Sequence, residues 1–156
     1  MNKIDCQQVE AVVFDLAGTL VFYQANQADH SQTEMVLFPG VTGLLKKIEN
    51  SRYRLGLLSN SPGLTARYEL KKLSIDGYFS SLTFADEVGF SKPDKRIFLA
   101  ACGSLGLSPT KILMVGDSMS KDIYPAMELG MQVFLLEVEQ HEQQLKKLEK
   151  LLEIST

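Results

Sequence analysis

The chain has 156 residues, 45% of them hydrophobic and 22% charged, and 16 Lys and Arg against 19 Asp and Glu leave a formal net charge of −3. This length suits one domain with one full core, and a mildly acidic chain without a basic stripe is not built to bind nucleic acid. No apolar run approaches the ~20 residues of a membrane span, and the polar stretch Met1 to Glu10 lacks the apolar segment of a signal peptide, so a single cytoplasmic domain over residues 1–156 without a membrane partner is expected.

In chain order, the first element is the short apolar run Ala11-Val12-Val13-Phe14, the pattern of a strand buried on both faces. Asp15-Leu16-Ala17-Gly18-Thr19-Leu20 follows it. Val21 to Phe38 then reads as a short flap, with Phe22 and Tyr23 as its packing residues. Pro39-Gly40 introduces a helix from Val41 to Asn50, which carries Val41, Leu44, Leu45 and Ile48 at helical spacing. A second strand, Leu55 to Leu58, ends in Ser59-Asn60, and Ser61-Pro62-Gly63 opens a helix from Leu64 to Leu73. Leu82-Thr83-Phe84 is a shorter strand. Ser91-Lys92-Pro93 leads into a helix from Pro93 to Ser104, where Pro93 suits the first turn.

Ile112 to Val115 is the next strand, followed by Gly116-Asp117-Ser118 and a helix from Lys121 to Leu129 that stops at Gly130. Val133 to Leu136 is the last strand. A final helix from Glu139 to Ile154 places Leu145, Leu148, Leu151 and Leu152 on one face, a stripe that docks on the chain's own sheet or forms a dimer seam. Cys6 and Cys102 form neither a disulfide framework nor a metal motif; Cys102 reads as core. His30 and His141 read as solvent-exposed.

Strands alternating with helices predict an α/β fold with a parallel sheet, in which ligands bind beyond the carboxyl ends of the strands. The residues there have a joint chemical reading. Asp15 and Asp117 offer hard oxygen ligands to Mg²⁺. Lys92 would neutralise phosphate charge and keep Asp15 ionised. Ser59, Asn60 and the amides near Gly18 could bond phosphoryl oxygens. A carboxylate attacking phosphorus would give an aspartyl phosphate.

These residues resemble the four motifs of the haloacid dehalogenase (HAD) superfamily, in order and on strand ends: Phe14-Asp15-Leu16-Ala17-Gly18-Thr19-Leu20, Leu57-Leu58-Ser59-Asn60, Ser91-Lys92-Pro93 and Val115-Gly116-Asp117-Ser118-Met119-Ser120-Lys121-Asp122. The resemblance implies a three-layer α/β/α Rossmann-like sheet of strand order 5-4-1-2-3 and a Mg²⁺-dependent site. By position, Asp15 matches the nucleophile, Thr19 and Ser59 the phosphate site, and Lys92 the charge-balancing lysine. Asp117 and Asp122 match the acids of the metal site, and the carbonyl of Ala17 matches the backbone metal ligand.

At position 17 the pattern departs. Family phosphatases commonly carry a second aspartate there, which protonates the leaving oxygen and then activates water. Ala17 can do neither. Three readings compete: a slow or specialised phosphatase, aided by a good leaving group or by a first-loop residue such as Asp29, His30 or Glu34; a weakly active or inactive relative that binds phosphate or a phosphorylated partner; or different chemistry, as in phosphonatases, which also resemble this motif in having Ala but rely on a cap-domain lysine. The length leaves no room for a cap. The expected site is therefore open, accessible to a phosphorylated small molecule or a phosphoprotein, or covered by a neighbouring subunit of a homo-oligomer.

Overall fold

In the computed structural model, which describes residues 3–154, five parallel strands form one sheet: β1 (Ala11–Phe14), β4 (Arg54–Ser59), β5 (Ser81–Phe84), β6 (Ile112–Gly116) and β7 (Gln132–Leu135). Their spatial order is β5-β4-β1-β6-β7. Counting only these five in chain order and reading from the β7 edge, this is the expected 5-4-1-2-3. The remaining two strands, β2 (Val21–Ala25) and β3 (Thr33–Leu37), make a separate antiparallel pair.

Alternation along β1 builds two cores. Val12 and Phe14 point to one face, and Ala11 and Val13 to the other. The first face is covered by three helices, α1 (Val41–Glu49), α2 (Gly63–Lys72) and α6 (His141–Leu151). Helix α1 supplies Val41, Leu44, Leu45 and Ile48, and α6 supplies Leu145 and Leu148, each set at the i, i+3, i+4 or i+7 spacing of one helical face. The second face is covered by α4 (Lys95–Leu105), with Ile97, Phe98, Ala101, Cys102 and Leu105, and by the short α5 (Tyr124–Glu128), with Ala126. A single turn, α3 (Ala85–Val88), joins β5 to the loop before α4. The leucine stripe of α6 is thus spent on the chain's own core, with Leu145, Leu148 and Leu152 all buried.

Four expectations need correction. The flap from Val21 to Phe38 is itself a hairpin, in which β2 and β3 pair from Val21↔Leu37 to Ala25↔Thr33 and Asn26 Oδ1 closes the turn by accepting from the amides of Ala28 and Asp29. Phe22 packs on Phe38, with ring centroids 5.0 Å apart, but Tyr23 points outward and is half exposed. Pro93 stands outside the helix it was expected to start. The Lys92-Pro93 peptide is cis, and α4 begins at Lys95, capped by Asp94, whose carboxylate accepts from the Arg96 amide. The stretch read as a helix from Lys121 begins with a π turn over Met119–Ile123, where the Ile123 amide reaches back to the Ser118 carbonyl (3.2 Å), and only then continues as α5. Finally, His141 is buried rather than exposed.

Among the described residues, no helix is long and apolar enough to cross a membrane. The connections after β1 and after β4, where a cap could be inserted, contain the β2–β3 hairpin with α1, and α2 with one short turn, respectively.

Candidate active site

Register brings the strand ends together. Phe14 lies level with Leu57 of β4 on one side and Val115 of β6 on the other. Asp15, Ser59 and Asp117 therefore leave the sheet side by side. They line an open pocket of about 290 Å³ together with Ala17, Asn60, Ser61, Lys92, Ser118, Lys121 and Asp122. A groove of about 350 Å³ near Asp5, Met127 and Gln132 lies away from these strand ends and lacks such a cluster.

Lys92 is the centre of the site. It is 5% exposed, and its ammonium donates to Asp15 Oδ1 (2.8 Å), to Asp122 Oδ1 (2.6 Å) and to the Leu58 carbonyl (3.2 Å). An ammonium has three N–H donors, so all are used. Asn60 holds the lysine's backbone from both sides: its Nδ2 donates to the Lys92 carbonyl (3.1 Å), and its Oδ1 accepts from the Lys92 amide (2.8 Å). Asn60, expected at the phosphate site, lines the pocket and also positions Lys92, using one of its two side-chain N–H donors to do so. Ser59 Oγ donates to Ser61 Oγ (2.9 Å) and accepts from the Ser61 amide (3.1 Å), which keeps it at the pocket wall.

Asp15 is buried and held at both oxygens. Oδ1 faces Lys92, and Oδ2 accepts from Thr19 Oγ1 (3.2 Å). Asp122 is also buried, and its Oδ2 accepts from the Ser118 amide (3.1 Å). Asp15, Asp117 and Asp122 each present a carboxylate oxygen, and these three atoms lie within 4.8 Å of one another. Two glycines permit this approach. A Cβ on Gly18, whose φ of +83° also favours glycine, would run into the Asp117 carboxylate, and a Cβ on Gly116 would run into that of Asp122.

Charge in this cluster is unbalanced, with three carboxylates around one buried ammonium. Burial is the largest influence on Asp15 and pushes its pKa up to about 6; Lys92 pulls the other way and neighbouring Asp117 adds to the rise. Asp122 is raised by burial and then by the charge of Asp15, against the pull of Lys92. For Lys92, burial favours the neutral amine, but Asp15 and Asp122 together outweigh it and its pKa is raised. Lysine and acids shift upward together because the lysine has two anionic partners while each acid has part of one cation.

A divalent cation fits this donor set. It would relieve the excess negative charge, and oxygen-only ligands suit Mg²⁺. None of the described hydrogen bonds ends on the Ala17 carbonyl, leaving it available as a further oxygen ligand.

The structure brings together Asp15, Ala17, Ser59, Asn60, Lys92, Asp117 and Asp122 at one pocket, with Thr19 buried directly behind Asp15. Asp29, His30 and Glu34, considered as substitutes for a proton-handling residue, lie on the hairpin and do not line the pocket. Asp29 instead accepts from Ser31, and Glu34 from Gln24. Lys121 and Ser61 do line it and were not singled out as site residues. Lys121 lies inside the fourth motif, and its charge beside Asp122 was the available signal. No carboxylate among the described residues lies within ion-pair distance of its ammonium.

The sheet order and this strand-end cluster agree with the sequence comparisons. A family profile of haloacid dehalogenase-like hydrolases matches residues 18–136, and the chain belongs to that family. It is 35% identical over 113 residues to a glyceraldehyde 3-phosphate phosphatase of Methanothermobacter thermautotrophicus, a match covering 72% of this chain and 50% of the relative. It is 31% identical over 114 residues to a phosphoglycolate phosphatase of Nitrosococcus oceani, covering 73% and 50%. The chain thus spans about half the length of these curated relatives. Its fold is similar to that of a HAD phosphatase from Thermococcus onnurineus, with a TM-score of 0.81 at 19% identity, covering 94% of this chain and 99% of that one.

Proposed function

We propose that the chain is a Mg²⁺-dependent phosphatase that acts on phosphorylated small molecules through an aspartyl phosphate on Asp15. The observation carrying this reading is the pairing of buried Asp15 with Lys92 at the floor of an open pocket, beside two further carboxylates. The names of the curated relatives, phosphatases of small phosphorylated metabolites, support the substrate class.

In this reading Asp15, Asp117 and the Ala17 carbonyl hold Mg²⁺, which when bound offsets the charge of the phosphoryl oxygens. Lys92 and Thr19 fix the Asp15 carboxylate from its two oxygens, so that it enters the reaction oriented. An Asp15 oxygen attacks phosphorus and the ester P–O bond breaks, leaving the phosphoryl group on Asp15. Water then attacks phosphorus, the P–O bond to Asp15 breaks, and inorganic phosphate departs. Ala17 contributes no proton to the leaving oxygen and takes none from the water, so both protons are exchanged with solvent. Lys121, at the pocket wall, supplies positive charge to the anionic substrate, since the donors of Lys92 are already occupied. Asp122 acts through its charge and its hold on Lys92.

The test is a phosphate-release screen over phosphorylated small molecules, with and without Mg²⁺. Release should require the metal and vanish in Asp15→Asn; metal-dependent release that survives this substitution overturns the mechanism. Ala17 specifically favours a second reading, phosphate binding without turnover. Saturable phosphate binding with no release from any substrate, including aryl phosphates with good leaving groups, would select it.

A further inference from the structure

His141 is a titratable side chain that the proposed mechanism does not use, and it occupies an unusual place. It is the first residue of α6, it is 6% exposed, and its ring stacks on Phe38 with centroids 3.7 Å apart and planes 15° from parallel. Its Nε2 lies 2.6 Å from the Thr19 carbonyl oxygen. A carbonyl only accepts, so Nε2 carries the proton and donates. Nδ1 is buried without a partner. Burial lowers the pKa of the ring and so favours its neutral form, only partly opposed by the bond to Thr19.

Packing alone does not explain this residue. Stacking on Phe38 needs only an apolar ring, and leaving Nδ1 buried and unpaired costs stability. What histidine adds is the one donor aimed at Thr19. That carbonyl belongs to the same peptide group as the Leu20 amide, which donates to the Leu16 carbonyl (2.8 Å). With both ends bonded, the plane of the Thr19–Leu20 peptide is fixed. Thr19 carries the hydroxyl that donates to Asp15 Oδ2.

We infer that His141 is a positioning residue for Asp15, acting from α6 through the Thr19 peptide and the Thr19 hydroxyl. The inference rests on the reading of Asp15 as the phosphoryl acceptor. It assigns the C-terminal helix a part in organising the pocket, although none of its residues lines the pocket.

The experiment follows beryllofluoride, which binds a phosphoryl-accepting carboxylate as an acyl-phosphate mimic, by ¹⁹F NMR in the presence of Mg²⁺, with melting temperatures recorded in parallel. The wild type should give a bound signal that is absent in Asp15→Asn. His141→Phe, which keeps the stacking ring, should weaken beryllofluoride binding at least tenfold while its Tm changes little, because losing the partner of Thr19 and removing the unpaired Nδ1 offset one another. A second pair of variants guards against poor folding of the first. His141→Gln retains a donor and His141→Met, of similar length, does not; binding by the Gln variant should stay within about threefold of wild type and exceed that of the Met variant at least fivefold. Equal binding in wild type and His141→Phe, or equal losses in the Gln and Met variants, overturns the inference and leaves the assignment of Asp15 intact. A wild type that gives neither a bound signal nor phosphate release overturns the assignment of Asp15, and the inference with it.

Discussion

At the scale of single residues, Asp15 and Ala17 pull the chemistry in opposite directions. Burial raises Asp15 to about 6, well above the ordinary carboxylate value. The folded protein therefore holds the Asp15 proton more tightly than the unfolded chain does. In metal-free protein this contributes stability that is fully present below about pH 4 and is lost as pH rises through about 6, an effect on the order of 3 kcal/mol. Asp15→Asn should thus be more stable than wild type in EDTA at pH 8, and the gap should close toward pH 4; denaturant titrations at the two pH values check this. In the proposed mechanism Ala17 supplies no proton transfer, a contribution that is ordinarily roughly 10²–10⁴-fold. Turnover should depend steeply on the leaving group, with aryl phosphates far ahead of alkyl phosphates. Ala17→Asp should raise alkyl-phosphate hydrolysis by about that factor and flatten the dependence, measured as kcat across a leaving-group series.

At the scale of elements, the site is a meeting of loops whose backbones are fixed by side chains. The Lys92 loop has Asn60 as its anchor, and Asn60→Ala leaves two backbone groups of Lys92 without their partner. Groups that orient a ligand from one layer out typically matter 10–100-fold. A fall of that size in kcat with Lys92 itself intact is expected for Asn60→Ala, read from steady-state kinetics. The loop after β1 depends in the same way on Gly18. Gly18→Ala forces both a left-handed backbone and a shift of Asp117, so Mg²⁺ affinity measured by calorimetry should fall at least tenfold.

These local details separate what was legible in the sequence from what was not. Continuous apolar runs such as Ala11–Phe14 and Ile112–Val115 announce strands covered on both faces, and the polar residues just beyond them announce the pocket. The β2–β3 hairpin was hidden because its turn, Asn26 to Gln32, is polar except for Ala28 and none of the turn residues is buried. The positioning role of Asn60, beside its expected place at the phosphate site, was not legible. Which partner an amide chooses depends on a loop 32 residues away, and spacing along the chain carries no record of it. His141 was misread for the same reason, since its partner Thr19 lies 122 residues distant. The π turn escaped because a helical apolar pattern does not distinguish i+4 from i+5 closure over a single turn.

At the scale of the whole molecule, two cores on opposite faces of one sheet carry the stability, and the sheet's carboxyl edge is left to chemistry. Adding Mg²⁺ to metal-free protein should raise Tm in a concentration-dependent way, following RT ln(1 + [L]/Kd). Removing it with EDTA should reverse the shift, and Asp117→Ala should abolish it, all measurable by thermal melts.

The surplus of carboxylates at that edge also bears on the order of arrival. Even with Lys121 included, acids outnumber ammonium groups three to two along the pocket wall. A phosphate ester approaching the bare protein meets net repulsion at short range, where water screens least. On the proposed mechanism the cation should therefore enter before the ester or together with it. Phosphate and its analogues should bind detectably to the metal-loaded form alone.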